Sequence, residues 1–464
     1  MFADKKEYCG VFGIFGHEQA IDLTYLGLYS LQHRGEESCG IAVFDGRRVR
    51  QITGMGLVSE VLSRDKLKGL KGKTVIGHVR YSTTGSSILR NAQPFMIRHH
   101  KFSVSIAHNG NLINAIKLRR KLEEKGAIFQ TTMDSEIVLH LLVRSDRGSI
   151  EDRLVDALGQ CEGAYTMLFL SEDKMIGVRD PYGFRPLCLG KKDGSYVLAS
   201  ETCSLDLLDA EFIREVEPGE MVIITEKGIE SKKPFQEVKR ASCIFEFIYF
   251  ARPDSRIFGQ SVYEVRKRLG MQLAREYPAE ADIVMSIPDS GNYAALGYSE
   301  ESGIPFEFGM IRNHYIGRTF IQPSQKRRRH GVKIKLNPIK DVLKGKKIVV
   351  VEDSIVRGTT TSSRIKAIRE TGVKEIHMRI SCPPIVFPCF YGIDFPSRKE
   401  LIANELSVEE IGKFIGVDSL KYLSHDGMLK AAGSGGNGFC TACFSGGYPT
   451  KVHKTAIKTP FEKS

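Results

Sequence analysis

The fold of the C-terminal half is decided by Ile348-Val-Val-Val-Glu352-Asp353-Ser354-Ile355-Val356-Arg357-Gly358-Thr359-Thr360-Thr361. A short, wholly apolar run ends in two acids, a Gly/Thr loop follows, and a segment with helical spacing comes next. Apolar runs of this length bounded by turn residues read as strands buried on both faces. The alternation continues outward. Val262–Arg275 predicts a helix, Ile283–Ile287 a strand, Tyr293–Ser302 a helix, Lys347–Val351 a strand, Thr360–Thr371 a helix and Glu375–Ile380 a strand. Strands alternating with helices imply an α/β domain on a parallel sheet covered on both faces. In such sheets ligands sit beyond the carboxyl ends of the strands, which is where Glu352–Thr361 falls.

Alone, this loop could be an acidic strand-to-helix turn closed by a threonine cap. Its length, acid pair and Gly-Thr-Thr run together resemble the phosphoribosyl pyrophosphate (PRPP) signature of type I phosphoribosyltransferases. The resemblance implies that Glu352 and Asp353 hold the ribose hydroxyls and a hydrated Mg²⁺. It also implies that Ser354, Arg357, Gly358, Thr359 and Thr360 receive the 5-phosphate at a helix N-terminus, where free N–H groups and the positive dipole end favour an anion. Many members carry two aspartates; Glu352 keeps the charge with a longer reach. Ser286-Ile-Pro-Asp289-Ser290-Gly291 resembles a second strand-end loop by the pyrophosphate, with Ser290 near the Mg²⁺. Residues Asn313–Pro323, which include Arg318, resemble the loop that closes over PRPP in amidophosphoribosyltransferases. They run into the basic segment Lys326–Lys335, which then reads as neutralising pyrophosphate or docking the closed loop rather than binding nucleic acid, since no aromatic stacking platform accompanies it.

Residues 9 to about 238 have another pattern. Val11–Phe15, Gly40–Phe44, Val75–Val79, Val104–Ala107, Thr166–Leu170 and Met221–Thr225 read as strands, and Ile21–Gln32, Leu112–Lys125 and Ser135–Val143 as helices. Many short strands with few helices suggest an α+β domain with helices layered on sheets. A charged linker containing Pro234 is expected near Lys227–Lys239.

Cys9 begins the first strand, and taken alone it would be a small buried hydrophobe. Gln32-His-Arg-Gly35, Gly77-His-Val-Arg80-Tyr-Ser82, His108-Asn-Gly-Asn111 and Thr132-Met-Asp134-Ser-Glu136 follow in order. Together they resemble the N-terminal-nucleophile glutaminase domain of class II glutamine amidotransferases, an αββα sandwich. The resemblance implies that residues 1–8 are a propeptide, that 9–238 form the glutaminase domain, and that Cys9 is the nucleophile. It assigns the oxyanion hole to Asn109 and Gly110, the glutamine carboxylate to Arg80 and its ammonium to Asp134. Arg suits a carboxylate because its guanidinium grips both oxygens. In isolation Asn109-Gly110 would read as a type I′ hairpin turn.

Residues 239–464 would then form the transferase domain with a C-terminal cysteine-bearing segment. Cys440-Thr-Ala-Cys443 suggests a metal site or redox pair. Cys243 and Cys389 supply two more thiols; by spacing alone four thiolates suit either Zn²⁺ or [4Fe–4S], zinc being the commoner occupant. These four match the ligands of the iron–sulfur subclass of amidophosphoribosyltransferases, which implies a [4Fe–4S] cluster. The same resemblance, over nearly the whole chain, implies glutamine and PRPP as substrates and 5-phosphoribosylamine as product, in the first committed step of purine synthesis. It further implies a homotetramer and feedback inhibition by purine nucleotides. A glutaminase serving another sugar acceptor, or an inactive homologue with Cys9 still blocked, are the rivals; the Glu352–Thr361 loop argues against the first.

Composition agrees. The chain has 464 residues, 42% hydrophobic and 26% charged, with a formal charge of +12 suited to anionic ligands. No run approaches the ~20 apolar residues that span a bilayer, and the charged N-terminus lacks the apolar core of a secretory signal. A cytoplasmic location is expected, where ten cysteines are unlikely to form a disulfide framework.

Overall fold

The computed structural model of the chain describes residues 9–81, 86–100, 102–313, 336–393, 395, 397–433 and 438–452. Met1–Tyr8, Arg318 and the Lys326–Lys335 segment lie outside the described residues.

The N-terminal half is two stacked antiparallel sheets. One has the order Glu211–Glu215, Cys188–Lys192, Ser195–Ala199, Gly10–Phe15, Thr74–Arg80, Ser38–Phe44, Val49–Met55. The other runs Gly228–Lys232, Met221–Thr225, Met175–Arg179, Gly163–Leu170, Phe102–Leu112, Phe95–His99. Period-two alternation sorts side chains into three apolar layers. Val11, Ala42 and Ile76 meet Ala107, Leu168 and Val222 between the sheets. Phe12 and Ile14 face outward onto Leu28 of helix Ala20–Ser30. On the opposite side Val104, Met167 and Phe169 pack against Leu118, Ile137 and Leu154 of helices Ala115–Glu123, Ser135–Arg144 and Ile150–Leu158. The result is the αββα sandwich.

The C-terminal half carries a four-stranded parallel sheet in the order Ile283–Ser286, Lys347–Glu352, Glu375–Ile380, Ser419–Tyr422. Helices Val262–Glu276, Asn292–Ser302 and His425–Ala432 pack together, as do Thr359–Arg369 and Val408–Ile415. Ser286 pairs with Val351, so the loops after these two strands leave the sheet side by side.

Asn109-Gly110, a hairpin turn only when taken in isolation, lies inside a strand, Asn109 paired with Thr166 and Gly110 with Tyr165. Two expectations are corrected. The helix expected from Leu112 begins at Ala115, because Leu112 still pairs with Gly163. The linker expected near Lys227–Lys239 starts later, since Gly228–Lys232 forms the edge strand against Met221–Thr225.

Candidate active sites

Cys9 sits at the entrance to strand Gly10–Phe15, beside the end of Thr74–Arg80. It is 5% exposed, and its Sγ lies 3.4 Å from the Tyr81 carbonyl oxygen. Burial pushes its thiol up to about 11, and Arg80 pulls the other way; Asp134 also acts on it. Cys9, Arg80 and Asp134, far apart in sequence, are therefore brought within electrostatic range of one another by the fold. Burial opposes ionisation of Asp134, but the His108 ring 3.4 Å away and the Leu112 N–H, donating at 2.8 Å, outweigh it and hold the carboxyl below its usual range.

Asn109 is fully buried, and among the described residues neither its side-chain oxygen nor its nitrogen has a hydrogen-bond partner. Buried amides are normally satisfied, and each orphaned group costs about 1–3 kcal/mol. The neighbouring Gly110 has φ +153, and a Cβ there would fall 2.0 Å from the Ala164 carbonyl oxygen, so only glycine fits. The strand is anchored to the other sheet by His78, whose Nε2 lies 2.9 Å from the His108 carbonyl oxygen. Burial lowers the His78 pKa to about 3, so this ring is neutral at physiological pH and Nε2 is the donor.

At the end of strand Lys347–Glu352 both acids are buried. Asp353 accepts from the hydroxyls of Ser290 and Ser354, so the structure brings Ser290 to the acid pair from the neighbouring strand-end loop. Glu352 accepts from Arg364 at 2.8 Å and Thr361 at 3.2 Å, both on the following helix. Gly358, at φ +74, turns the chain into helix Thr359–Arg369, whose first N–H groups lack intrahelical partners. Arg357 pairs with Glu400 at 3.1 Å.

The four cysteines singled out converge. Cys243 pairs in register with Cys440 in a short parallel ladder, and the N–H groups of Val386 and Phe387 donate to the Cys443 carbonyl. Cys389, Cys440 and Cys443 each lie within electrostatic range of Cys243, and Cys443 is within range of all three others. All are free thiols, and burial pushes each one up, Cys389 to about 11. As the side chains stand, no three His, Cys, Asp or Glu groups among the described residues close around a point as an ion would require.

Sequence reasoning missed a buried ion network joining the two halves. Arg34 donates to the Cys9 carbonyl at 3.0 Å, to both carboxylate oxygens of Glu246 at 3.1 and 2.8 Å, and to Glu201. Arg185 reaches Glu246 at 3.3 Å and the Tyr391 carbonyl. A lone acid within the apolar run Ile244-Phe-Glu-Phe-Ile-Tyr-Phe250 was the available signal, because an acid there needs a buried cation.

The sandwich, with Cys9, Arg80 and Asp134 brought together at its edge, defines a glutamine amidotransferase domain, joined to a parallel-sheet domain whose strand-end loop carries Glu352 and Asp353. Comparison with known proteins agrees: the glutamine amidotransferase domain family matches residues 78–206, which include Arg80, Asn109, Gly110 and Asp134. Over almost its full length the chain is 52% identical to amidophosphoribosyltransferase 1, chloroplastic, of Arabidopsis thaliana, covering 98% of this chain and 80% of the relative. It is 48% identical to the amidophosphoribosyltransferase of Bacillus subtilis, covering 97% and 96% of the two chains. A solved structure of B. subtilis glutamine PRPP amidotransferase complexed with ADP and GMP superposes with a TM-score of 0.92 at 47% identity, covering 97% of this chain and 100% of that one. The chain belongs to the amidophosphoribosyltransferase family.

Proposed function

We propose that this chain converts PRPP, glutamine and water to 5-phosphoribosylamine, pyrophosphate and glutamate, the first committed step of purine synthesis. The observation that carries the glutaminase half is the buried Asn109 amide beside Gly110, unpartnered among the described residues, in the domain that also holds Cys9 close to Arg80 and Asp134. An amide nitrogen kept free of partners can donate to an oxygen that gains charge only during reaction.

While residues 1–8 remain attached, the Cys9 nitrogen is an amide and cannot act as a base. Their removal creates an α-amine, with an ordinary pKa of about 7.7–8.0, next to the thiol. That amine takes the thiol proton, and sulfur attacks the glutamine carboxamide. The oxyanion is met by the Asn109 side chain and the Gly110 N–H. The C–N bond breaks, ammonia leaves, and water cleaves the thioester to glutamate. Arg80 holds the substrate carboxylate and Asp134, kept ionised, holds its ammonium.

In the second half ammonia attacks C1 of PRPP as pyrophosphate departs. Glu352 and Asp353 bind the ribose hydroxyls; Ser354, Arg357, Gly358, Thr359 and Thr360 receive the 5-phosphate; Arg318 approaches the pyrophosphate. Oxygen donors suit Mg²⁺, which Asp353, Ser290 and Glu352 would hold and which neutralises the leaving anion; the bonds from Arg364 and Thr361 must loosen for Glu352 to take part. Cys243, Cys389, Cys440 and Cys443 would hold a [4Fe–4S] cluster. Four buried thiols ionise together only beside a cationic centre, and the cluster supplies a cross-link between the start and end of the transferase domain.

We place the domain division at 238/239 and the enzyme in the cytoplasm, as a homotetramer inhibited by purine nucleotides. The B. subtilis neighbour with ADP and GMP bound supports the nucleotide reading. Among the described residues no helix is long and apolar enough to cross a membrane. The direct test is pyrophosphate release from PRPP with glutamine and, separately, with ammonium: both are expected to support it, and failure of both rejects the assignment. Anaerobically purified protein should carry about four irons per chain; stoichiometric zinc instead overturns the cluster.

A further inference from the structure

The oxyanion strand is not held by the sandwich alone. Asn111, two residues beyond Asn109, donates its side-chain N–H at 2.8 Å to the backbone carbonyl of Phe390, which lies 279 positions later in the transferase domain. Gly392 packs on the same strand: a Cβ there would lie 3.2 Å from both the carbonyl carbon and oxygen of Gly110. Its φ of +104 also disfavours any side chain. Between these two residues, the Tyr391 carbonyl accepts from Arg185, which in turn pairs with Glu246, the partner of the Arg34 that holds the Cys9 carbonyl. One transferase segment, 389–392, thus touches the strand carrying the oxyanion donors and the network holding the nucleophile.

We propose that segment 389–392 is a positioning element for glutamine cleavage: through Asn111–Phe390 and Gly392–Gly110 it sets the Asn109 amide and Gly110 N–H where the oxyanion forms. This rests on the assignment of Asn109 and Gly110 as oxyanion donors. A contact of this kind acts on the transition state, while glutamine's zwitterionic end is gripped by Arg80 and by Asp134, which is held by the backbone N–H of Leu112 rather than by the Asn111 side chain. The signature is therefore a fall in kcat at constant KM. Misplacing donors by about 1 Å is worth on the order of 100-fold, so a tenfold or greater effect is expected from losing one of two props.

The test uses processed full-length enzyme carrying Asn111→Leu, Asn111→Ala or Gly392→Ala. Three quantities are measured: kcat for glutamate release, KM for glutamine, and the inhibition constant of glutamate γ-semialdehyde. The Cys9 sulfur adds to the aldehyde carbon as the C=O π bond breaks and the thiol proton ends on the oxygen; the resulting hemithioacetal oxygen accepts from the Asn109 and Gly110 N–H groups, so the inhibitor's affinity reports the oxyanion site. Expected are kcat at least tenfold lower, the inhibitor weakened by a similar factor, and KM within about twofold of the parent. Ammonia-driven synthesis from PRPP shows which variants are folded. Folded Asn111 variants with unchanged kcat and unchanged inhibitor affinity overturn the proposal, as does a rise in KM with no loss of inhibitor binding. Should both Asn111 variants fail to fold, the same split in Gly392→Ala decides. Asn109→Ala runs alongside: if it leaves kcat and inhibitor binding intact, the oxyanion assignment itself fails; if it loses both while Asn111 and Gly392 variants do not, only the positioning role falls.

Discussion

The two chemical centres handle buried polar groups in opposite ways. In the sandwich, Asn109 is buried with neither amide atom partnered among the described residues, and its strand is fixed by backbone pairing on one side and a transferase segment on the other. At the end of the parallel sheet, the Glu352 and Asp353 carboxylates already have internal donors, from Arg364, Thr361, Ser290 and Ser354. The first centre holds an unmet hydrogen-bonding demand, and in the proposed reaction a developing oxyanion satisfies it. The second holds its charges in a network, which under the same proposal the ribose and its metal rearrange on binding.

That contrast can be broken at several points. Cys9→Ala has the largest expected effect: glutamate release falls to background while ammonia-driven synthesis persists, and loss of both would contradict the division of labour. Asn109→Ala should lower kcat for glutamine hydrolysis by about 100- to 1000-fold, roughly 2.7–4 kcal/mol, at nearly constant KM; a KM effect alone would make it a binding residue. Asp353→Asn removes a charged acceptor worth about 1.5–3 kcal/mol, so ammonia- and glutamine-driven synthesis should fall together by roughly 10- to 100-fold, and rates equal to the parent would remove Asp353 from the site. The remaining effect falls on stability rather than catalysis. Glu201 is fully buried, yet His33 and Arg34 beside it outweigh the burial cost and hold its carboxyl far below the usual range. A depressed carboxylate contributes stability above its unfolded pKa, about 4.3, and loses it as pH falls toward the folded value. Glu201→Gln should therefore cost about 3 kcal/mol at pH 7 and flatten the pH dependence of urea midpoints between about pH 5 and 3; an unchanged slope would mean that the carboxylate is not ionised in the native state.

Much of this architecture is legible in the chain because its chemistry is written in contiguous residues. Glu352–Thr361 contains strand end, acids, glycine and helix start together, and the helix there begins within one residue of its expected place. Cys9, Arg80, Asn109 and Asp134 stand in short motifs that mark themselves. Other parts depend on distance. Strand Glu211–Glu215 is a largely exposed edge with no alternation to betray it, and Cys188–Lys192 ends in two lysines. Asn109-Gly110 has the composition of a turn and is held in a strand by pairing with Thr166 and Tyr165, a tertiary override of local preference. The bond from Asn111 to Phe390 joins two segments that no local pattern connects.

The central claim is that a Cys9 amine, once freed, drives glutamine cleavage in the service of a strand-end PRPP site. The measurement that meets it most directly is glutamate release by the processed chain, beginning at Cys9, with and without PRPP. The account predicts cleavage that requires Cys9 at the N-terminus and is stimulated by PRPP but not by a hexose phosphate. Glutamate release that ignores PRPP, or that proceeds undiminished with residues 1–8 still attached, would contradict it.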